Sequence, residues 1–190
     1  MREVQEILNN RRTIYRFTSE DVSDLDLEIG FLAANNAPCH KLTFPWKFYV
    51  VGKETRKKLL PAVVSLARDK AAKKKEDDVQ MAEERAISKI MDVPRMIVVT
   101  SKLSRNDLFR EKEDYAATVC SLHNLVLSLW DLGIGSQWST GAITRDERTY
   151  SVLEIDSTKE RIIGFLKVGY PEIVPTNEKK NPNEFKFYLP

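Results

Sequence analysis

The chain has little glycine, little cysteine, almost no net charge and no long apolar run. Seven glycines in 190 residues form neither a Walker A loop nor the glycine fingerprint of a dinucleotide-binding βαβ unit. Gly133-Ile134-Gly135 is too short to serve as either. Gly-x-Ser-x-Gly is missing, so an esterase nucleophile elbow is not indicated. Two cysteines, Cys39 and Cys120, make no disulfide framework. Thirty basic and 28 acidic residues give a net charge of +2, which provides no general field for a polyanion. Any phosphate recognition must therefore be local, and no nucleic-acid partner is expected. No apolar stretch approaches 18 residues, so no membrane span is expected. "MREVQEILNN" has no apolar core of a signal peptide, and a cytoplasmic protein is the expectation. The composition, 42% apolar and 31% charged, is that of a globular domain. We expect one domain over 1–190.

Periodicity then places the elements. Val4, Ile7 and Leu8 lie on one face of a first helix. Leu25, Ile29 and Leu32 form the stripe of a second, from Asp24 to Ala34. Lys47 to Val51 reads as a strand, and Arg56 to Leu66 as a helix despite Pro61. Arg68 to Asp92 carries seven basic and seven acidic residues. Val79, Ala82, Ala86 and Ile90 repeat there at helical spacing, predicting a solvated amphipathic helix pair; a mobile cap over a site is the alternative. Its "KKK" is followed at once by "EDD", which removes a basic patch. Pro94 introduces a β-branched strand, "RMIVVTS". Glu111 to Leu132 is a long helix, nearly all apolar after Ala116, and so assigned to the core, with Gly133 as its stop. "GSQWSTGAI" reads as a loop, Thr144 with Glu147 as a capping box, "RIIGFLKVGY" as a central strand, and "FKFYLP" as a short terminal strand. The irregular alternation predicts an α+β fold, with helices packed around a mixed, mostly antiparallel sheet.

Three stretches carry candidate chemistry. In "RRTIYRF", Arg11 and Arg12 offer planar forks for phosphate oxygens and Thr13 a neutral hydroxyl; the alternative is arginines that satisfy helix-end carbonyls. "APCHKLTFPW" holds His40 and Lys41 between Pro38 and Pro45. "WSTG" supplies the aromatic face of Trp138, the hydroxyls of Ser139 and Thr140, and a glycine that lets backbone approach a ligand; alone it is equally a turn beside a buried tryptophan. Cys39, His40, Cys120 and His123 lack the pair spacing of a structural zinc site, and His123 inside the apolar helix reads as a core histidine. Together the three stretches suit a flat, phosphorylated, redox-active ring.

These residues resemble the FMN-dependent nitroreductase family, in its small single-domain branch. The resemblance runs through "NNRRTIYRF", "AANNAPCHKLTFPWKFYVV", "DYAATVCSLHNLVLSLWDLGIGSQWSTGAI" and "IIGFLKVGYPE", in the family's order, and leaves out the variable helical excursion at 68–92. It implies an α+β, nitroreductase-like fold in an intertwined homodimer, with two FMN molecules at the interface. Arg11, Arg12 and Thr13 match the grip on the FMN phosphate and ribityl chain. Asn36 and His40 match positions that reach the flavin from the partner subunit. Trp138, Ser139 and Thr140 match the loop beside the isoalloxazine, and the strand around Phe185 to Leu189 would cross to the other subunit. The implied activity is hydride transfer from NADH or NADPH to FMN and on to a small electron-poor acceptor, such as a nitroaromatic or a quinone. None of these residues is assigned a catalytic role. A flavin-binding redox sensor or store, or a flavin-dependent dehydrogenase or dehalogenase, are the alternatives. Thr13 stands where serine is usual, and Asn36 and Ser139 where some members carry arginine, so two cations are missing near the cofactor.

Overall fold

The computed structural model describes residues 3–75 and 78–190; the parts of the first helix and of the charge-balanced segment that fall on Met1, Arg2, Glu76 and Asp77 lie outside them. Six α-helices occur among the described residues: α1 (Val4–Asn10), α2 (Asp24–Asn35), α3 (Lys53–Lys74), α4 (Val79–Met91), α5 (Leu108–Asp131) and α6 (Glu147–Val152). Four strands, β1 (Trp46–Val50), β2 (Arg95–Lys102), β3 (Gly135–Ser139) and β4 (Glu160–Gly169), form one sheet in the order β1-β2-β4-β3. Every named pair is antiparallel, and a single parallel bridge, Thr13 with Ser136, joins the edge of β3.

Side-chain alternation sends the two faces of this sheet to different cores. Ile97, Val99, Leu166 and Val168 face α5 and α2, where they meet Leu122, Leu125 and Leu129. Met96, Val98 and Phe165 face the other way, toward Leu59 and Val63 of α3 and Ile90 of α4. The β2–β4 register shifts between Val99 and Thr100. This bulge places Ile163 in the first core and Ile162 in the second.

Helix α5 starts where the Asp107 side chain accepts from Arg110 N at 2.9 Å, and stops at Gly133, whose φ of 80° suits a residue without Cβ. α2 lies close against it because Gly30 has no side chain: a Cβ there would come within 2.6 Å of Leu125 Cδ1. Ser121 Oγ and Asn124 Nδ2 on α5 donate to Ala34 O and Ala33 O at 2.9 and 3.3 Å. α3 continues through Pro61 to Lys74, so the helix expected over Arg56 to Leu66 and the first part of the charge-balanced segment are one helix rather than two, and it packs against α4. Lys75 closes α3 in a left-handed conformation, the Asp78 side chain caps α4 by accepting from Met81 N at 2.8 Å, and Arg68 pairs with Glu83 across the two helices.

Several sequence expectations are overturned. "GSQWS" is strand β3, not loop, because its backbone pairs with β4 along the whole stretch. The cap of α6 is Asp146, which accepts from Arg148 N at 3.0 Å; Thr144 sits in the preceding 3-10 turn and its hydroxyl donates to Gly141 O at 3.0 Å. Leu25, Ile29 and Leu32 are exposed, and α2 buries Leu27, Gly30 and Ala34 instead. Ala116, Cys120 and His123 are exposed on α5, so His123 is no core histidine. The terminal "FKFYLP" is exposed from Phe185 to Leu189 and pairs with no strand among the described residues of its own chain; the strand expected there is one that forms against a partner subunit.

Arg56 ties the end of β1 to the start of β2. The residue is 2% exposed, and it donates to Val51 O, Val93 O and Pro94 O at 2.9, 2.6 and 3.2 Å. Arg56→Met should leave these carbonyls without their donors and cost about 3 kcal/mol, a fall in melting temperature on the order of 10 °C, read by thermal denaturation; an unchanged melt would remove Arg56 as the tie.

Candidate functional site

The parallel bridge brings two of the candidate stretches together. Ile14 N donates to Ser136 O at 2.9 Å, which lays the segment after α1 along the free edge of β3. The approach is close because position 135 is glycine: a Cβ there would lie 2.4 Å from Ile14 Cγ1. Arg11, Arg12 and Thr13 therefore sit beside the strand that ends in Trp138 and Ser139. Arg12 does in part what a helix-end arginine does, donating from Nη1 to Asn9 O at 2.8 Å and Arg11 O at 2.9 Å. Among the described residues neither arginine has a carboxylate partner. Burial, and then the charge of Arg12, hold the Arg11 pKa below the usual guanidinium value. The two neighbouring, half-buried guanidinium groups make a local concentration of positive charge at the edge of β3.

Trp138 lies over Gly164 on the face of the sheet toward α5. Its Nε1 donates to Ile163 O at 3.1 Å, and a Cβ at 164 would stand 2.0 Å from that nitrogen. The indole is thus fixed by a hydrogen bond and a glycine-shaped seat, while 39% of the residue remains exposed. It is neither a loop ornament nor fully core.

His40 lies elsewhere, whereas Asn36 ends α2 beside the middle of α5. Asn36 caps α2, with Nδ2 donating to Leu32 O at 2.8 Å. His40 Nδ1 lies 2.8 Å from Glu113 Oε1, and Arg110 Nη2 donates to His40 O at 3.3 Å. His40 therefore sits at the start of α5, whereas the charge of Arg11 acts on His123, ten residues along it, or about 15 Å along the axis. The arm between Pro38 and Pro45 is locally strained: Lys41, Leu42 and Phe44 have φ of 57°, 50° and 42°, a conformation that costs non-glycine residues free energy and that clusters at functional sites. Thr43 Oγ1 donates to the buried Asp114 at 2.7 Å and anchors the arm. Among the described residues no group of three His, Cys, Asp or Glu side chains is placed to hold a metal.

On the opposite face of the sheet, Ser139 and Gly141 help to line a cavity of about 530 Å³ against α3 and α4. Its floor includes Lys167, which is only 5% exposed. Sequence reasoning missed this residue: within "GFLKVGY" it looked like one polar position in a buried strand.

A profile of the nitroreductase family matches residues 8–170. The chain belongs to the nitroreductase family. It is 29% identical over 187 residues to a Bacillus subtilis protein named "Putative NAD(P)H nitroreductase YfhC", covering 97% of this chain and 92% of that one. Its fold matches the crystal structure of a nitroreductase-like family protein from Bacillus cereus with a TM-score of 0.84 and 25% identity, over 100% of this chain and 96% of the other. The fold also matches "a putative nitroreductase in complex with fmn" from Desulfovibrio desulfuricans, with a TM-score of 0.77 and 19% identity, over 100% and 98% of the two chains. The expected α+β, nitroreductase-like fold is thus the observed one. No helix among the described residues is long and apolar enough to cross a membrane.

Within this nitroreductase fold, His123 reports on the arginine pair. Its ring is exposed on one side, yet partial burial, and then the nearby Arg11 charge, hold its pKa below the ordinary imidazole value. Because the folded value is depressed, the protein favours neutral His123. That contribution to stability is complete above the unfolded pKa of about 6.5 and is lost as pH falls from there through the folded pKa. Arg11→Gln should raise the His123 pKa toward its ordinary value in an NMR titration; an unmoved pKa would place the Arg11 charge away from this ring.

Proposed function

We propose that this chain is an FMN-dependent NAD(P)H oxidoreductase of the nitroreductase type, acting as a cytoplasmic homodimer in which residues 1–190 form one FMN-binding domain. The observation that carries the reading is the Arg11–Arg12 pair, half-buried and without a carboxylate among the described residues, on the same strand edge as Trp138 to Thr140. A phosphate there gains two guanidinium forks, and Thr13 adds a hydroxyl. When bound, FMN supplies hydride relay from NADH or NADPH to an electron-poor acceptor such as a nitroaromatic or a quinone.

The chain's own residues do the holding and the electrostatics. Arg11, Arg12 and Thr13 take the phosphate end. Trp138, Ser139 and Thr140 flank the ring, with Trp138 kept in place by Ile163 O and Gly164. Asn36 and His40 serve the flavin of the partner subunit, and the place of His40 at the start of α5, at a distance from Arg11 in one chain, supports this. Dimerisation is also supported by apolar surface that one chain leaves uncovered: Leu25, Ile29 and Leu32 on α2, Phe187, Tyr188 and Leu189 in the tail, all at least 43% exposed, and the Ala116–Cys120–His123 stripe of α5. Apolar surface of this extent marks an interaction site, and the tail would gain partners for its backbone by adding to a sheet edge of the other subunit.

Purified protein should be yellow, should run as a dimer, and should bleach anaerobically when NADH or NADPH is added. A colourless protein that does not take up FMN would falsify the proposal. His40→Ala should weaken FMN binding about tenfold in a fluorescence titration while the melting temperature stays close to wild type; unchanged affinity would remove His40 from the site.

A further inference from the structure

Lys167 is a nearly buried lysine, and among the described residues no acid pairs with it. Antiparallel alternation on β4 places it on the same face as Phe165, toward α3 and α4. Only 5% of the residue is exposed. Among the described residues no acid or acceptor pairs with it, and the charge that acts on it is Lys89 of α4, which repels it. Burial, and then Lys89, lower its pKa to about 8, so most of the population is still charged at neutral pH. A buried ammonium is costly unless it is paired. This one borders a cavity of about 530 Å³, and the cavity is the place from which a counterion can come.

The walls say what kind. Leu66, Ala67, Ile143 and Phe165 give an apolar surface. Lys70, Lys73, Arg85 and Lys89 add cations, against a single lining acid, Asp69. An apolar body with a negative group fits this distribution: the body takes the apolar wall and the charge meets the lining cations, of which Lys167 is the buried one. Inorganic phosphate has no apolar body to set against that wall.

We propose that the cavity between α3, α4 and the sheet binds a small organic acid, its carboxylate on Lys167 and its ring-sized apolar body against Phe165 and Ile143. Ser139 and Gly141 line this cavity and belong to, or adjoin, the loop assigned to the flavin. The cavity lies on the face of the sheet opposite Trp138 and the arginine pair, so the acid is a separate ligand and is not stacked on the flavin ring.

The test is calorimetric titration of the purified protein, with and without added FMN, using 4-nitrobenzoate, 4-nitrobenzamide and inorganic phosphate. Wild type should bind the acid at least about tenfold more tightly than the amide, the range expected for a hydrogen bond to a charged group, and should bind phosphate more weakly than the acid. Lys167→Met keeps the linear stem and should abolish the preference while leaving amide binding unchanged. Equal binding of acid and amide by wild type, a preference that survives Lys167→Met, or phosphate binding as tight as the acid would each overturn the assignment. Should the methionine variant fail to fold, Lys167→Gln, which keeps a polar end without the charge, takes its place. Acid binding that depends on Lys167 in a protein that takes up no FMN would keep the anion pocket and remove only the flavin reading; a yellow protein without acid preference would do the reverse.

Discussion

Strand β4 is hydrogen-bonded along both edges, to β2 on one side and β3 on the other, and from Ile162 to Gly169 every residue is buried. A strand so enclosed cannot slip. A one-residue shift would send Leu166 and Val168 away from α5 and drive Lys167 into the α5 core. The rest of the molecule is arranged around that register. The bulge beside Val99 sets Ile163 and Gly164 so that one offers its carbonyl and the other a seat for the Trp138 indole. The same register fixes Lys167 beneath α3 and α4.

The two faces of this sheet then have different electrostatic tasks. On the α5 side, Arg11 and Arg12 lie against the β3 edge with no acid to answer them. On the α3–α4 side, Lys167 is buried with only Lys89 acting on it. The chain as a whole is nearly neutral, at +2, and it spends acids freely on surface pairs such as Lys57–Glu54 and Arg148–Asp146. The cations left unanswered are therefore local features. Anions brought by ligands are the physical complement of both.

Much of this was legible in the chain. The periodicity of α5, the β-branched run of β2 and the glycine stop at Gly133 all rest on local stereochemistry, and each element forms close to its expected place. The order of the four recurring stretches was enough to indicate the family. What failed was whatever depended on a distant partner. Gly135 to Ser139 contain four small or polar residues that suit a loop, but pairing with β4 makes them a strand. The Leu25–Ile29–Leu32 stripe obeys helical spacing, yet Gly30 allows such close contact with Leu125 that the opposite face is buried. His123 has apolar neighbours in sequence, but the helix turns it outward.

Local order in the sequence thus determined which segments are helices and strands, and which side-chain types were available for binding an anion and a flat ring. Tertiary structure alone decided which of them meet. Thr13 and Ser136 are far apart in the chain, and only an edge bridge makes neighbours of the arginine pair and Trp138. His40 and Arg11 read as one constellation in sequence, but α5 holds them at different levels along its length. Lys167 acquires meaning only from what surrounds it, because the cost of burying a charge depends on the partners that the fold brings near and those it withholds.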